Sequence, residues 1–239
     1  MITAAAVCPA PPLLARELTG ADPVVPELRQ ACQDAVAGLL RSRPEVVAVV
    51  GVGEQTRTWD DGAGLDLSLF APGIGRATRD GRAADASSRP CLPLPLPLGL
   101  GARLLDQGGH DGPRMLQLVG EDEPAVRCAE LGARIARSAG RVAVLAMGDG
   151  SARRGPKAPG YFDARSGPFD AEVERAVRAG DLDALLALDP ELARELMATG
   201  RAAWQVLAGA LHGTDPASEI IYRDDPFGVA YLVASLELR

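Results

Sequence analysis

Residues 45–53, EVVAVVGVG, hold after Glu45 an unbroken apolar, largely β-branched run that ends in Gly51 and Gly53. A strand with one wet face alternates apolar and polar residues; this one does not, so it reads as a strand buried on both faces. The flanking sequence carries the same signature outward. Upstream, Leu28, Ala31, Cys32, Ala35, Val36, Leu39 and Leu40 recur at the 3.6-residue period, with Pro26 in the first turn and Pro44 beyond the end. Residues 2–8 (ITAAAVC, stopped by Pro9, Pro11 and Pro12), 114–119 (RMLQLV) and 141–147 (RVAVLAM) read as further strands. Helices are expected near 98–107 and over 123–138, the second through Cys128, Leu131, Gly132 and Ile135. Buried strands alternating with amphipathic helices predict a three-layer α/β domain. No repeat, low-complexity tail or linker divides the chain, so a single domain over 1–239 is expected.

The remaining segments are less regular. Residues 54–90 are polar and glycine-dotted, with an edge strand expected at 65–70 (LDLSLF). In CLPLPLPLGLG (91–101) each proline removes a backbone donor, so the stretch reads as an extended connection rather than a strand or helix. In the last third, Phe169, Val173, Ala176 and Val177 share a helical face. Asp181 and Asp189 are good N-caps, the latter followed by Pro190. A helix or bent helix pair is expected to run to Leu211 and end at Gly213, followed by a closing pair of strands at 219–223 and 228–238.

Charge and cysteine usage narrow the function classes. The net charge is −7 and Lys157 is the only lysine, so the densest basic patch, Arg153, Arg154 and Lys157, is too small to argue for a phosphate backbone. No apolar run approaches the roughly 18 residues of a membrane span. The N-terminus has no basic segment before its apolar stretch, which leads us to expect a cytoplasmic protein. Cys8, Cys32, Cys91 and Cys128 include no C-x-x-C pair, and free thiols are expected, with Cys32 and Cys128 in the core.

Short motifs offer little chemistry of their own. GVGEQT (51–56) lacks the third glycine of a dinucleotide loop, and GDGSARRGPK (148–157) lacks the G-K-[ST] order of a P-loop. Its basic residues are placed to hold an anion at the end of a strand, although a solvated loop is the plainer reading. Ser151 sits in G-D-G-S-A, which is not a nucleophile elbow. The sequence holds only two histidines: His110 reads as a loop residue, and His212 as a cation at a helix C-terminus.

The order of several segments resembles the class III extradiol ring-cleavage dioxygenase superfamily, specifically its subunit-B-like members. The resemblance is carried by AAAVCPAPPLL at the N-terminus, VAVVGVG, AMGDGSARR, the long stretch FDAEVERAVRAGDLDALLALDPELARELMATGRAAWQVLAGAL, and DPFGVAYLVASLEL. It implies an α/β/α sandwich around a mixed, mostly parallel sheet. It also implies ferrous iron held by two histidines and a glutamate, with a further histidine as acid and base. Here the first ligand motif reads Ala10-Pro11-Pro12, and Gly148-Asp149-Gly150-Ser151 is followed by Ala152 where the acid-base histidine belongs. The glutamate position falls on Ala198, with Glu195 one turn earlier. Residues 51–60 contain no histidine for the second ligand, and Glu54 is the nearest substitute. An alanine methyl has no lone pair, so it neither binds iron nor moves a proton.

Three readings follow. The first is a non-catalytic member with no cofactor, binding a small molecule or protein partner in a cleft at Cys8, Ala10, Pro11, Pro12, Glu54, Asp149, Ser151, Ala152 and Arg153. The second is an active ferrous-iron oxygenase whose ligands are relocated to His110 or His212 with Glu54, Asp149 or Glu195. The third is a metal-free enzyme with Cys8 as nucleophile, which needs a lowered thiol pKa. Asp149 and Ser151 are the other candidate catalytic groups. Neither a membrane nor a nucleic acid is expected as partner, and homo-oligomerisation is left open.

Overall fold

Parallel strands need crossover connections, and this chain supplies a helix for each of them. The computed structural model describes residues 1–20, 24–71 and 93–238; Cys91 lies outside them. In chain order the elements are β1 (Ile2–Cys8), α1 (Arg16–Thr19), α2 (Pro26–Arg41), β2 (Val46–Gly53), β3 (Arg57–Trp59), α3 (Leu96–Gln107), β4 (Arg114–Gly120) and α4 (Ala125–Ala136). They continue with β5 (Val142–Met147), α5 (Ser166–Ala179), α6 (Leu182–Leu186), α7 (Pro190–Glu195), α8 (Arg201–Leu211), β6 (Ala217–Asp224) and β7 (Tyr231–Glu237). The strands form one sheet in the order β3-β4-β2-β5-β1-β7-β6. The central four, β4, β2, β5 and β1, run parallel, while β3 at one side and β7 and β6 at the other pair antiparallel.

Each central strand feeds two cores. Ala6 and Cys8 of β1, Val47 and Val49 of β2, and Leu145 and Met147 of β5 face α2 and α3. Their neighbours Ala5, Val7, Ala48, Val50, Val144 and Ala146 face α4, α5 and α8. The result is the expected α/β/α sandwich. Each fully buried Leu or Val contributes roughly 1.5–3 kcal/mol, so the apolar strand residues hold both helical layers at once.

The second layer depends on a backbone-to-backbone contact. A Cβ at Gly132 of α4 would lie 2.0 Å from the Val206 carbonyl oxygen, and one at Gly209 of α8 2.4 Å from the Ala129 Cα. Neither obstacle is a side chain that can rotate away.

Three expectations are corrected. Residues 65–70 are not an edge strand: Leu65 makes one bridge to Leu94, and the chain turns at 67–71. The Asp66 carboxylate accepts the Ser68 N–H, a local bond that competes with strand pairing. Leu65 and Leu67 are nonetheless buried, which explains the apolar alternation. The edge strand is β3, held on β4 through Arg57–Trp59. Next, α3 begins at Leu96 inside the proline-rich stretch, because Pro97 occupies its first turn, where no N–H is required. Finally, the helix pair before Leu211 is three helices. Asp181 caps α6 through the Ala184 N–H, and Asp189 caps α7 through the Glu191 N–H. A turn with Met197 at φ 55° then separates α7 from α8.

Gly132→Ala is expected to lower stability by about 1–3 kcal/mol in urea unfolding, because α4 and α8 must separate to admit the methyl. Gly155→Ala, where nothing lies within 4 Å, should change it by less than about 0.5 kcal/mol. Equal effects of the two would contradict this packing.

Candidate functional site

The connections leaving β1 and β2 pack on one face of the sheet, and those leaving β4 and β5 on the other. Where neighbouring parallel strands send their chains to opposite faces, a crevice opens at their C-terminal ends. Here β5 lies between β1 and β2, and Cys8, Met147 and Gly51 stand level at that edge. The loops that follow are the ones singled out from the sequence.

Backbone hydrogen bonds draw these loops together. Gly148 N–H donates to the Cys8 carbonyl at 3.0 Å, and Ala10 N–H to Asp149 Oδ1 at 2.7 Å. Asp149 N–H donates to Thr199 Oγ1 at 3.2 Å, while its carbonyl accepts the Gly200 N–H at 2.8 Å. Ala152 N–H reaches the Leu196 carbonyl at 3.0 Å. Gly148 is required at this junction, since a Cβ there would lie 2.4 Å from the Gly200 Cα. The loops carrying Ala10, Ala152 and Ala198, all three residues buried, therefore meet around Asp149.

The sequence-predicted residues fare differently. Asp149 is half-buried, and desolvation of its carboxyl pushes the pKa from 3.8 up to about 6 against the opposing pull of the Ala10 N–H. Ser151 is fully buried, donating its hydroxyl to Asp170 Oδ2 at 2.5 Å and its N–H to Oδ1 at 2.8 Å. That bond ties α5 to the β5 loop and brings no histidine to the serine. Asp170 is itself raised by burial, and Arg154 bridges it to Asp225. Cys8 has no exposed surface and lies beside Cys32, whose thiol is pushed well up by the Cys8 hydrogen bond and by burial. A nucleophilic Cys8 would have no access to a substrate.

Pro11 leads into a short turn at Pro12–Leu14. Glu54 is exposed beyond the end of β2. Arg153 is half-buried, with its Nε unbonded among the described residues. Glu195 is partly exposed and pairs with Arg165 at 2.6 Å. His110 precedes β4, its ring 3.4 Å from the Pro113 carbonyl, which in turn accepts the N–H of Val47 at the start of β2. His212 follows α8 and lines a cavity with Met1 and Ile2. Both histidines thus stand at the N-terminal ends of the strands, the opposite end from Glu54 and Asp149. Among the described residues no three His, Cys, Asp or Glu side chains form a group able to hold a metal ion.

Sequence reasoning missed Thr199, Asp170 and Arg201. Arg201 is buried, its Nη1 donating to the Glu123 carbonyl at 2.5 Å and to Gln205 Oε1 at 2.9 Å, and its Nη2 to the Glu121 carbonyl. A signal existed: Arg201 and Gln205, one turn apart, are the only polar side chains in the apolar run 201–211. A cavity of about 190 Å³ opens beside Arg201, lined also by Val52, Thr199 and Ala198.

No protein-family model matches the chain, and no curated protein matches it. Among solved structures the chain is similar to an uncharacterized protein, JW3007, from Escherichia coli K12. That likeness has a TM-score of 0.51 and 13% identity, and it covers 98% of this chain and 99% of that one. It shows the α/β fold. Among the described residues no helix is long and apolar enough to cross a membrane.

Because the Asp149 carboxyl titrates higher folded than unfolded, the folded protein binds the extra proton between about pH 4 and 6. The resulting destabilisation is absent below the unfolded value and grows as pH rises through the folded one. Asp149→Asn keeps an acceptor for the Ala10 N–H without the charge. It is expected to match the wild type near pH 4 and to exceed it by about 1–3 kcal/mol at pH 8. A stability difference that stays constant from pH 4 to 8 would contradict this assignment.

Proposed function

We propose that the protein is a non-catalytic binding module on the scaffold of class III extradiol ring-cleavage dioxygenases, taking a small molecule at the C-terminal ends of β1, β2 and β5. The observation that carries this reading is the meeting of the Ala10, Ala152 and Ala198 loops around Asp149. These are the positions that the resemblance aligns with two iron ligands and the acid-base histidine.

The residues present do not fit ferrous iron. A facial triad needs three convergent nitrogen or oxygen donors. The alanine methyls supply none, one Asp149 oxygen is committed to the Ala10 N–H, and Glu54 points from an exposed loop end. Relocated ligands at His110 and His212 have nothing in their favour, because the length of the strands separates them from Glu54 and Asp149. A small molecule is favoured over a protein partner because a concave, largely apolar cavity, lined by Ala198 and Thr199, adjoins these loops at the ends of β2 and β4.

A fragment library screened against isotope-labelled protein by amide chemical-shift perturbation tests this. Binders are expected to move amides at 8–12, 148–153 and 198–202 together. Hits confined to other surfaces, or no hits in the library, would refute the reading.

A further inference from the structure

We propose that the cavity between the ends of β2 and β4 and the α7–α8 turn takes a small organic carboxylate. Its charged head is directed to Arg201 and Thr199, and its aliphatic body to the wall formed by Val52, Pro190, Ala193 and Ala198. The proposal rests on the reading of this crevice as a binding site and names the chemistry of its ligand.

Three observations converge. First, Arg201 is 2% exposed, yet its hydrogen bonds go to two carbonyls and an amide oxygen. Among the described residues no carboxylate lies within ion-pair distance of it, whereas Asp122 and Glu123 act on it only from further away. Buried cations are ordinarily paired with an anion, because neutral partners satisfy the N–H groups without cancelling the charge. Second, Thr199 Oγ1 accepts the Asp149 N–H, so its own hydroxyl proton remains to be donated to a ligand. Third, the rest of the wall is apolar, with the Met197 thioether beside aliphatic side chains, apart from Arg194 and Glu121, both at exposed positions. Arg194 is held by Glu191 only at 3.6 Å, a pair too exposed to retain it strongly.

Size and polarity set the ligand class. About 190 Å³ is below the roughly 300 Å³ at which drug-sized pockets begin, so the ligand is metabolite-sized. An inorganic anion would meet the guanidinium but leave the aliphatic wall wet. A neutral hydrocarbon would fill the wall but leave the buried charge unpaired.

Titration calorimetry and amide shifts with cyclopentanecarboxylate, its carboxamide and inorganic phosphate test the proposal. The carboxylate is expected to bind saturably and to move the amides of 198–202, with the carboxamide roughly ten- to hundredfold weaker. Because Arg201→Gln risks unfolding the chain, Thr199→Val and Ala198→Leu serve as the variants. The first should weaken carboxylate binding several-fold, and the second, by filling the cavity, should abolish it. Equal binding of acid and amide would overturn the proposal, as would phosphate binding as tightly as the acid, or acid binding that survives Ala198→Leu. If neutral fragments occupy the crevice while the carboxylate does not, this inference fails and the binding reading stands. If nothing binds there, both fail.

Discussion

A half-buried aspartate fastens the crevice. Through its carboxylate, carbonyl and N–H, Asp149 holds the loop after β1, the end of β5 and the turn before α8 in one joint. Gly148 beside it permits the approach of two backbones that any side chain would separate. The joint fixes where Ala10, Ala152 and Ala198 stand relative to one another, and with them the walls of the cavity next to Arg201. An aspartate desolvated in this way is disfavoured in its charged form. Such a group is more often found where a site needs it than where packing alone decides.

The two halves of the site then play different parts. On the β1 side, Cys8, Cys32 and Ser151 are buried, Asp170 is half-buried, and all are bonded to one another or to the scaffold, so they support the crevice from below. On the β2 and β4 side, Thr199 and Arg201 border open space and retain unspent donor or charge. Chemistry that the sequence suggested for Cys8 and Ser151 is replaced by packing, and the ligand recognition we propose falls to the start of α8.

Legibility in the sequence followed burial and locality. The strands at 46–53 and 142–147 announce themselves because both faces must be apolar, and the caps at Asp181 and Asp189 because each bond closes within three residues. β3 left no signal: Arg57 and Thr58 are exposed, and pairing with β4 rather than composition makes the strand. The start of α3 was hidden because proline reads as a breaker unless its place in the first turn is known. That the loops after β1 and β5 share a cleft was expected from the sequence, but the bonds that join them and the part played by the turn before α8 were not legible, since Asp149 meets Ala10 139 residues away and Thr199 50 residues away. Arg201 was legible in principle, as a charge set in an apolar helix, but its meaning depends on the missing carboxylate, which only the fold reveals.

On the proposed function, this scaffold binds a ligand where the family it resembles holds iron. Anaerobic equilibration of the purified chain with ferrous iron, followed by metal quantification and catechol-dependent oxygen uptake, tests it most directly. The folded protein is expected to retain far less than one iron per chain and to consume no oxygen with catechol. One tightly held iron per chain, with catechol-dependent uptake, would contradict the proposed function.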